Sequence, residues 1–357
     1  MILGLNKNDE AVMRLKEIAN KHLFAVGGSG TRKTTTLTGL AVQEAEAGNR
    51  IIIINMHQSL MRASMYDPLK RRYETIVHVI DVAKDGIKVP MFDKMTDING
   101  NIETDDAVIE RISSMLEVGC ELTEPQANKT YLAVEDCYIN DYFEDGLKAV
   151  YDWLEGLEKN VASNAAAKMR KICKNNVIRD GNFLETDKPI IEIDLNGLEF
   201  REQAKVAMFI LEFLMHAAIK GKFLDDPIIV WVDEAQNCDW SPKSALNSLI
   251  NEVRRMKIEL WLSLPSINVT GKKDINPLMQ CATKLFFAPL ASERRAIADI
   301  INPNNPDIVV NSLARLKPGE CIATGAFNIN GVESNKYVKI KPIVYKDSIG
   351  KAGKEVA

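Results

Sequence analysis

The chain has 357 residues, 46% of them apolar, with 45 basic against 49 acidic side chains and a net charge of −4. That length and apolar content suit one large domain or two smaller ones and exclude a disordered chain. The near-balance of charge excludes a globally basic nucleic-acid binder, so any such contact must come from a local patch.

The first twenty or so residues read as a short strand and an amphipathic helix. The apolar run Leu23-Phe24-Ala25-Val26 then predicts a buried strand. It ends in the glycine-rich segment Gly27-Gly28-Ser29-Gly30-Thr31-Arg32-Lys33-Thr34. Residues 33–47 have helical spacing and stop at Gly48-Asn49. Residues 51–54 and 75–82 predict two more buried strands. Continuous apolar strands alternating with helices argue for a parallel sheet covered on both faces.

The pattern changes near residue 100, at the turn Asn99-Gly100-Asn101. Asp105 is placed to cap a helix with Val108, Ile109, Ile112, Met115 and Leu116 on one side. Leu147, Val150, Tyr151, Leu154 and Leu157 mark a second helical stripe; Ala165, Met169, Ile172 and Cys173 mark a third. Residues 101–185 are therefore expected to be an all-helical insertion. It would divide a sheet domain into a first part, 1–100, and a second part, 186–345, with a flexible tail at 346–357. Strand pattern resumes at 190–193, 228–232, 259–263, 284–287 and 320–324. The most apolar helix-like stretch, 206–219, contains Glu212 and His216 and is short for a membrane span, and no cleavable leader opens the chain. Six cysteines (Cys120, Cys137, Cys173, Cys238, Cys281, Cys321) form no C-x-x-C pair, and His22, His57, His78 and His216 do not cluster. A reduced cytoplasmic protein without a zinc site is the expectation.

The glycine-rich segment has the order of a phosphate-binding loop, Walker A, with Arg32 in place of the usual last glycine. Such a loop works because successive backbone N–H groups and a helix N-terminus converge on phosphate oxygens. Its lysine reaches the terminal phosphates and the next hydroxyl holds Mg²⁺. Gly28, Ser29, Gly30, Thr31, Arg32, Lys33, Thr34 and Thr35 are the candidate ATP-binding residues. Downstream, Ile228-Ile229-Val230-Trp231-Val232-Asp233-Glu234-Ala235-Gln236 reads as Walker B. Asp233 would share Mg²⁺ with Thr34, and Glu234 would act as general base. The bland alternatives are a strand-to-helix turn for the first motif and helix-starting acids for the second. Arg32 either crowds the loop, points outward, or is an isolated change. Weakened but retained binding is expected, so that Arg32→Gly raises affinity, turnover or both.

With these motifs in place, the chain resembles the HerA–FtsK superfamily of P-loop ATPases. His22-Leu23-Phe24-Ala25-Val26-Gly27-Gly28-Ser29-Gly30 is similar to the family's lead into Walker A, and Asp233-Glu234-Ala235-Gln236 to its Walker B ending. Val253-Arg254-Arg255-Met256-Lys257-Ile258 resembles the basic turn before a following strand. Glu293-Arg294-Arg295-Ala296-Ile297-Ala298 and Leu316-Lys317-Pro318-Gly319-Glu320-Cys321 resemble the closing segments. The resemblance covers roughly 1–95 and 190–340. It implies an α/β, RecA-like P-loop NTPase fold with a mainly parallel sheet flanked by helices. It also implies a hexameric ring with ATP between subunits and an arginine donated across the interface, best matched by Arg254 and next by Arg255. Movement of DNA without sequence specificity goes with it, as does room for a membrane-bound or nuclease partner.

Two departures stand out. Leu264-Pro265-Ser266 occupies the place where relatives carry a polar sensor, often glutamine, leaving Ser263 or Ser266 to substitute. Arg32 is the other. Both leave open a nucleotide-gated assembly subunit with little hydrolysis; a secretion ATPase energising protein transfer is a third reading. The insertion resembles the all-helical domain of conjugative coupling proteins in position alone. Its Lys168, Arg170, Lys171, Lys174 and Arg179 suit either a phosphate backbone or a solvated helix face.

Overall fold

A computed structural model describes residues 1–343 except 16, 17, 19, 57–66, 143–145, 158, 159, 174, 176, 243, 252–256 and 269–275. The chain opens with β1 (Ile2–Leu5) and β2 (Ala11–Arg14), an antiparallel pair. A helix was expected near β2, and the structure corrects this. The turn between the strands is closed by Asn6 Oδ1, which accepts from the N–H groups of Asn8 and Glu10. Val12 and Arg14 then alternate inward with period two, the signature of a strand.

β3 (Leu23–Val26) leads into α1 (Lys33–Glu46) and β4 (Arg50–Asn55). Next come α2 (Asp67–Ile76), β5 (Val77–Asp81), α3 (Val82–Asp85) and β6 (Ile87–Val89). The strand expected at 75–82 thus begins two residues later, because Thr75 and Ile76 still belong to α2. Four helices follow: α4 (Asp105–Gly119), α5 (Glu124–Ile139), α6 (Leu147–Glu155) and α7 (Asn160–Cys173). The excursion that carries them returns at β7 (Ile178–Asp180), which pairs in parallel with β6, Ile87 opposite Ile178. Arg111 on α4 staples its entry by donating to Met91 O and Asp93 O, both at 2.8 Å, and to Glu103. Helix α5 had no clear stripe in the sequence, yet Thr123 and Gln126 form a capping box at its start, with Pro125 in the first turn.

β8 (Ile190–Asp194), α8 (Phe200–Ile219), β9 (Ile228–Val232), α9 (Ala245–Asn251), β10 (Ile258–Leu264) and β11 (Thr283–Phe287) complete the central layer. The strands β12 (Cys321–Thr324), β13 (Phe327–Ile329), β14 (Val332–Ser334) and β15 (Val338–Pro342) close the chain.

One 13-stranded sheet results, in the order β14-β13-β2-β1-β15-β12-β11-β3-β10-β9-β4-β8-β5. From β11 to β5 the pairing is parallel, and from β11 outward to β14 it is antiparallel. The inner parallel strands β3, β4, β8, β9 and β10 are buried on both faces, which explains their largely apolar runs, whereas the edge strand β5 is mostly exposed. Leu37, Leu40 and Ala41 of α1 pack on one face against Ile51, Ile53, Trp231 and Trp261. Ile52, Ile54, Val230, Val232 and Leu262 meet α4, α8 and α9 on the other. No helix among the described residues is long and apolar enough to cross a membrane.

Candidate nucleotide-binding and catalytic site

The four residues of β3 are 0–1% exposed and deliver Gly27 to the carboxyl edge of the sheet. There the Gly27 N–H donates to Leu264 O at 3.2 Å, tying the loop to the end of β10. Glycine is required at this point, since a Cβ would lie 2.6 Å from Phe287 Cβ. The loop turns through Gly30 at φ 79° and is pinned by Thr31, whose Oγ1 donates to Gly28 O at 2.8 Å. A Cβ on Gly28 or Gly30 would meet nothing within 4 Å, so the loop borders open space on that side. Lys33 is buried, and its Nζ reaches back over the loop to Gly27 O at 3.4 Å. Ser29 is exposed; Thr34 and Thr35 are half-buried in the first turn of α1.

Arg32 takes up the left-handed conformation, φ 66° and ψ 26°, immediately before α1. Its side chain is exposed and lies toward Gly319, where a Cβ would come 3.3 Å from Arg32 Cδ. Gly319 N–H also donates to Thr31 O at 3.0 Å, so the 316–320 turn buttresses the loop.

Strand β9 is buried throughout and carries Asp233, 1% exposed, to the same edge. Asp233 N–H donates to Ile54 O at 3.0 Å, which holds it in line with β4. By strand alternation it continues the Trp231 face, the one α1 covers. Glu234 is half-buried and left-handed, φ 58° and ψ 45°, and accepts from the Gln236 amide. A non-glycine residue held in that region is the sort of outlier that gathers at functional sites.

β10 lies between β3 and β9, with Leu264 opposite Val26 and Leu262 opposite Val232. Residues after Leu264 therefore emerge between the loop and the acidic pair. Ser263 is fully buried beside Ala25 in the ladder, and its hydroxyl has no hydrogen-bond partner among the described residues. Ser266 Oγ donates to Glu293, and Asn268 Nδ2 approaches the same carboxyl oxygen at 3.4 Å. Sequence reasoning did not single out Asn268, and it quoted Glu293 only within a longer segment.

His22, in the lead to the loop, is a structural link. Its Nδ1 accepts from Leu260 N–H at 2.9 Å, so Nε2 carries the proton toward Leu249 O at 3.2 Å. Burial pushes its pKa down to about 4. Arg254 and Arg255 lie outside the described residues, between α9 and β10.

The basic residues of the insertion are partly compensated. Arg170 sits 3.6 Å from Glu155, Lys171 pairs with Glu199 and Glu202, and Lys168 donates to Glu121 O. Arg170 and Lys171 remain exposed, in keeping with a solvated helix face; Lys174 lies outside the described residues. Among the described residues no group of three or more His, Cys, Asp or Glu side chains could hold a metal ion. All six cysteines are free and buried.

No family model matches the chain. No curated protein matches it in sequence. Solved structures do match in fold. VirB4 of Thermoanaerobacter pseudethanolicus superposes with a TM-score of 0.69 at 16% identity, covering 96% of each chain. The unbound form of the bacterial conjugative coupling protein TrwB gives 0.63 at 11% identity, over 96% of this chain and 88% of that one. TrwB in complex with ADP and Mg²⁺ gives 0.61 at 13% identity, over 91% and 85%. The likeness shows that this chain has the fold of VirB4 and TrwB, a large mixed sheet flanked by helices.

Proposed function

We propose that this chain binds ATP with Mg²⁺ and hydrolyses it as one subunit of a ring that moves DNA without reading its sequence. One observation carries the reading. Lys33 and Thr34, at the amino end of α1, share a sheet edge with Asp233 and Glu234, at the end of β9, with a single strand between. The open space beside Gly28 and Gly30, and a lysine folded back over the loop, suit a polyphosphate. Lys33 and the loop N–H groups would hold the phosphates, and Thr34 and Asp233 would hold Mg²⁺. The bound ion would neutralise charge on the phosphate oxygens. Glu234 would take the proton of the attacking water, with Gln236 orienting its carboxyl group. Arg254 of a neighbouring copy would complete the site, as the family resemblance implies. The coupling protein TrwB among the fold neighbours supports DNA as cargo.

Arg32 favours a second reading, a nucleotide-gated assembly subunit that hydrolyses little. Two measurements separate them: binding of a non-hydrolysable ATP analogue, and ATP turnover with and without DNA. The expected result is saturable binding that Lys33→Ala weakens strongly. Turnover should be stimulated by DNA and lowered in Glu234→Gln by about 10²–10⁴-fold, the usual general-base contribution. Equal binding by wild type and Lys33→Ala would remove the nucleotide site. Binding without turnover would favour the assembly subunit.

A further inference from the structure

We infer that the cleft at the amino edge of the sheet, at the opposite end of the strands from the phosphate loop, is a second ligand site, and that it takes a small organic anion with an apolar body.

The cleft exists because the sheet curls. Five strands lie between β2 and β10 in the sheet order. Arg14, the last residue of β2, nevertheless reaches Glu259, the second residue of β10. The linker after β2 is held to the same place, for Arg14 Nη1 donates to Lys21 O at 2.8 Å. There β9 and β10 begin side by side, Ile228 opposite Ile258. Glu44, in the last turn of α1, and Asn49, just beyond it, also line the cleft. Its volume is about 450 Å³, within the range of roughly 300–1,000 Å³ usual for small-molecule sites. Seven residues of β10 set it roughly 20 Å from Leu264, to which the phosphate loop is tied.

Charge decides what the cleft accepts. Its two carboxylates are already engaged. Glu259 takes both Nη groups of Arg14, and the Trp261 indole N–H donates to it at 2.6 Å. Glu44 is 8% exposed and accepts from the Asn49 amide. Lys21 and Lys257 also line the cleft and are exposed, and among the described residues neither ammonium group has an ion-pair partner. Two cations are therefore left for an incoming anion. Lys257 is held in the left-handed region at φ 54°, a strained conformation of the kind that gathers at functional sites. Ile18, Pro227, Ile228 and Ile258 supply an apolar wall beside these cations. A carboxylate or phosphate monoester on a hydrocarbon or aromatic body satisfies both. A bare inorganic anion would forgo the wall, and a neutral molecule would forgo the lysines.

Ligand-observed NMR on the full chain, with phenyl phosphate and benzoate as probes, tests the site. At least one is expected to bind with a Kd of about 1 mM or tighter, and which one does so names the head group. Benzamide, which keeps the ring and loses the charge, should bind about tenfold more weakly than the better probe, and inorganic phosphate should displace that probe only at about tenfold higher concentration. Lys21→Ala combined with Lys257→Ala should weaken the probe by about five- to thirtyfold, the loss of two exposed ion pairs. Its melting temperature should match wild type, since both side chains are exposed. Lys33→Ala, which disables the phosphate loop, should leave probe affinity within about twofold, because the two sites are separate. Absence of binding by either anion up to about 10 mM would overturn the inference. So would equal binding of benzamide and the better probe, or wild-type affinity in the double lysine variant. Affinity lost in Lys33→Ala and kept in the double lysine variant would seat the probe in the phosphate loop instead. Failure of the ATPase reading has a different mark, absence of nucleotide binding, and leaves these expectations unchanged.

Discussion

Arg32 combines a glycine's backbone with a cation's side chain. The left-handed conformation costs a non-glycine residue about 1–2 kcal/mol, and Arg32 adopts it at φ 66°. Replacement by glycine relieves that strain, while glycine's greater freedom when unfolded returns roughly 0.5–1 kcal/mol. Net stability should therefore move by about 1.5 kcal/mol or less, leaving nucleotide affinity as the informative reading. The side chain lies toward Gly319, so the shape of the loop survives the substitution. Removing the strain favours tighter binding, and removing the cation opposes it. Arg32→Gly is expected to bind the ATP analogue more tightly or turn over faster. A loss of binding would make Arg32 a phosphate ligand in its own right. The placement of Lys33, Thr34, Asp233 and Glu234 at one sheet edge was legible in sequence because each pair follows an apolar strand. The conformation of Arg32 was not, since rules of residue preference point to glycine there and only the surrounding packing overrides them.

At the scale of elements, the inner parallel strands announced themselves, for burial on both faces keeps most of their positions apolar. In the antiparallel half β1 and β12 were legible, but β2, β13 and β14 were not. β13 and β14 are three residues each with mostly exposed or half-exposed positions, and β2 alternates over only four. Such strands are defined by their partners more than by their own pattern. How the elements are joined yields a pH prediction. His22 joins the start of β3 to β10 and α9 as a neutral ring, with its pKa lowered from 6.5 to about 4 by burial. Below pH 6.5 the unfolded chain takes up a proton that the folded chain refuses. The stability His22 contributes is thus full above 6.5 and is lost as pH falls toward 4, by about 3 kcal/mol in all. Glu212 works in the opposite sense. Burial raises its pKa from 4.5 to about 7, so its contribution is full below 4.5 and lost as pH rises through 7. Comparing wild type with His22→Gln cancels the Glu212 effect. The melting temperature of the variant should fall less steeply than that of wild type between pH 6.5 and 4. Parallel curves would show that His22 is not the group responsible.

For the whole molecule, the proposed catalytic set draws on well-separated stretches of the chain. The loop and the acidic pair sit at the carboxyl ends of β3 and β9. The segment bearing Arg254 joins Asn251 to Ile258, the amino end of β10. Seven residues of strand place Ile258 roughly 20 Å from Leu264, at about 3.3 Å per residue. A chain so built holds its own phosphate loop at the carboxyl edge of the sheet, while Ile258, the start of β10 and among the first described residues after Arg254, lies at the amino edge. In the proposed ring, a second copy meeting the first edge-on would bring the loop and the arginine together, and repetition of that contact would close the ring. Catalysis shared in this way has a distinctive signature in mixtures. Arg254→Ala keeps an intact loop, Lys33→Ala keeps an intact arginine, and each alone should be nearly inactive. Mixed in equal amounts, they should recover part of the turnover, because some interfaces then pair a good loop with a good arginine. Activity that stays at the level of the separate variants, from a protein that remains monomeric with and without ATP, would place the whole reaction within one chain and rule out the ring.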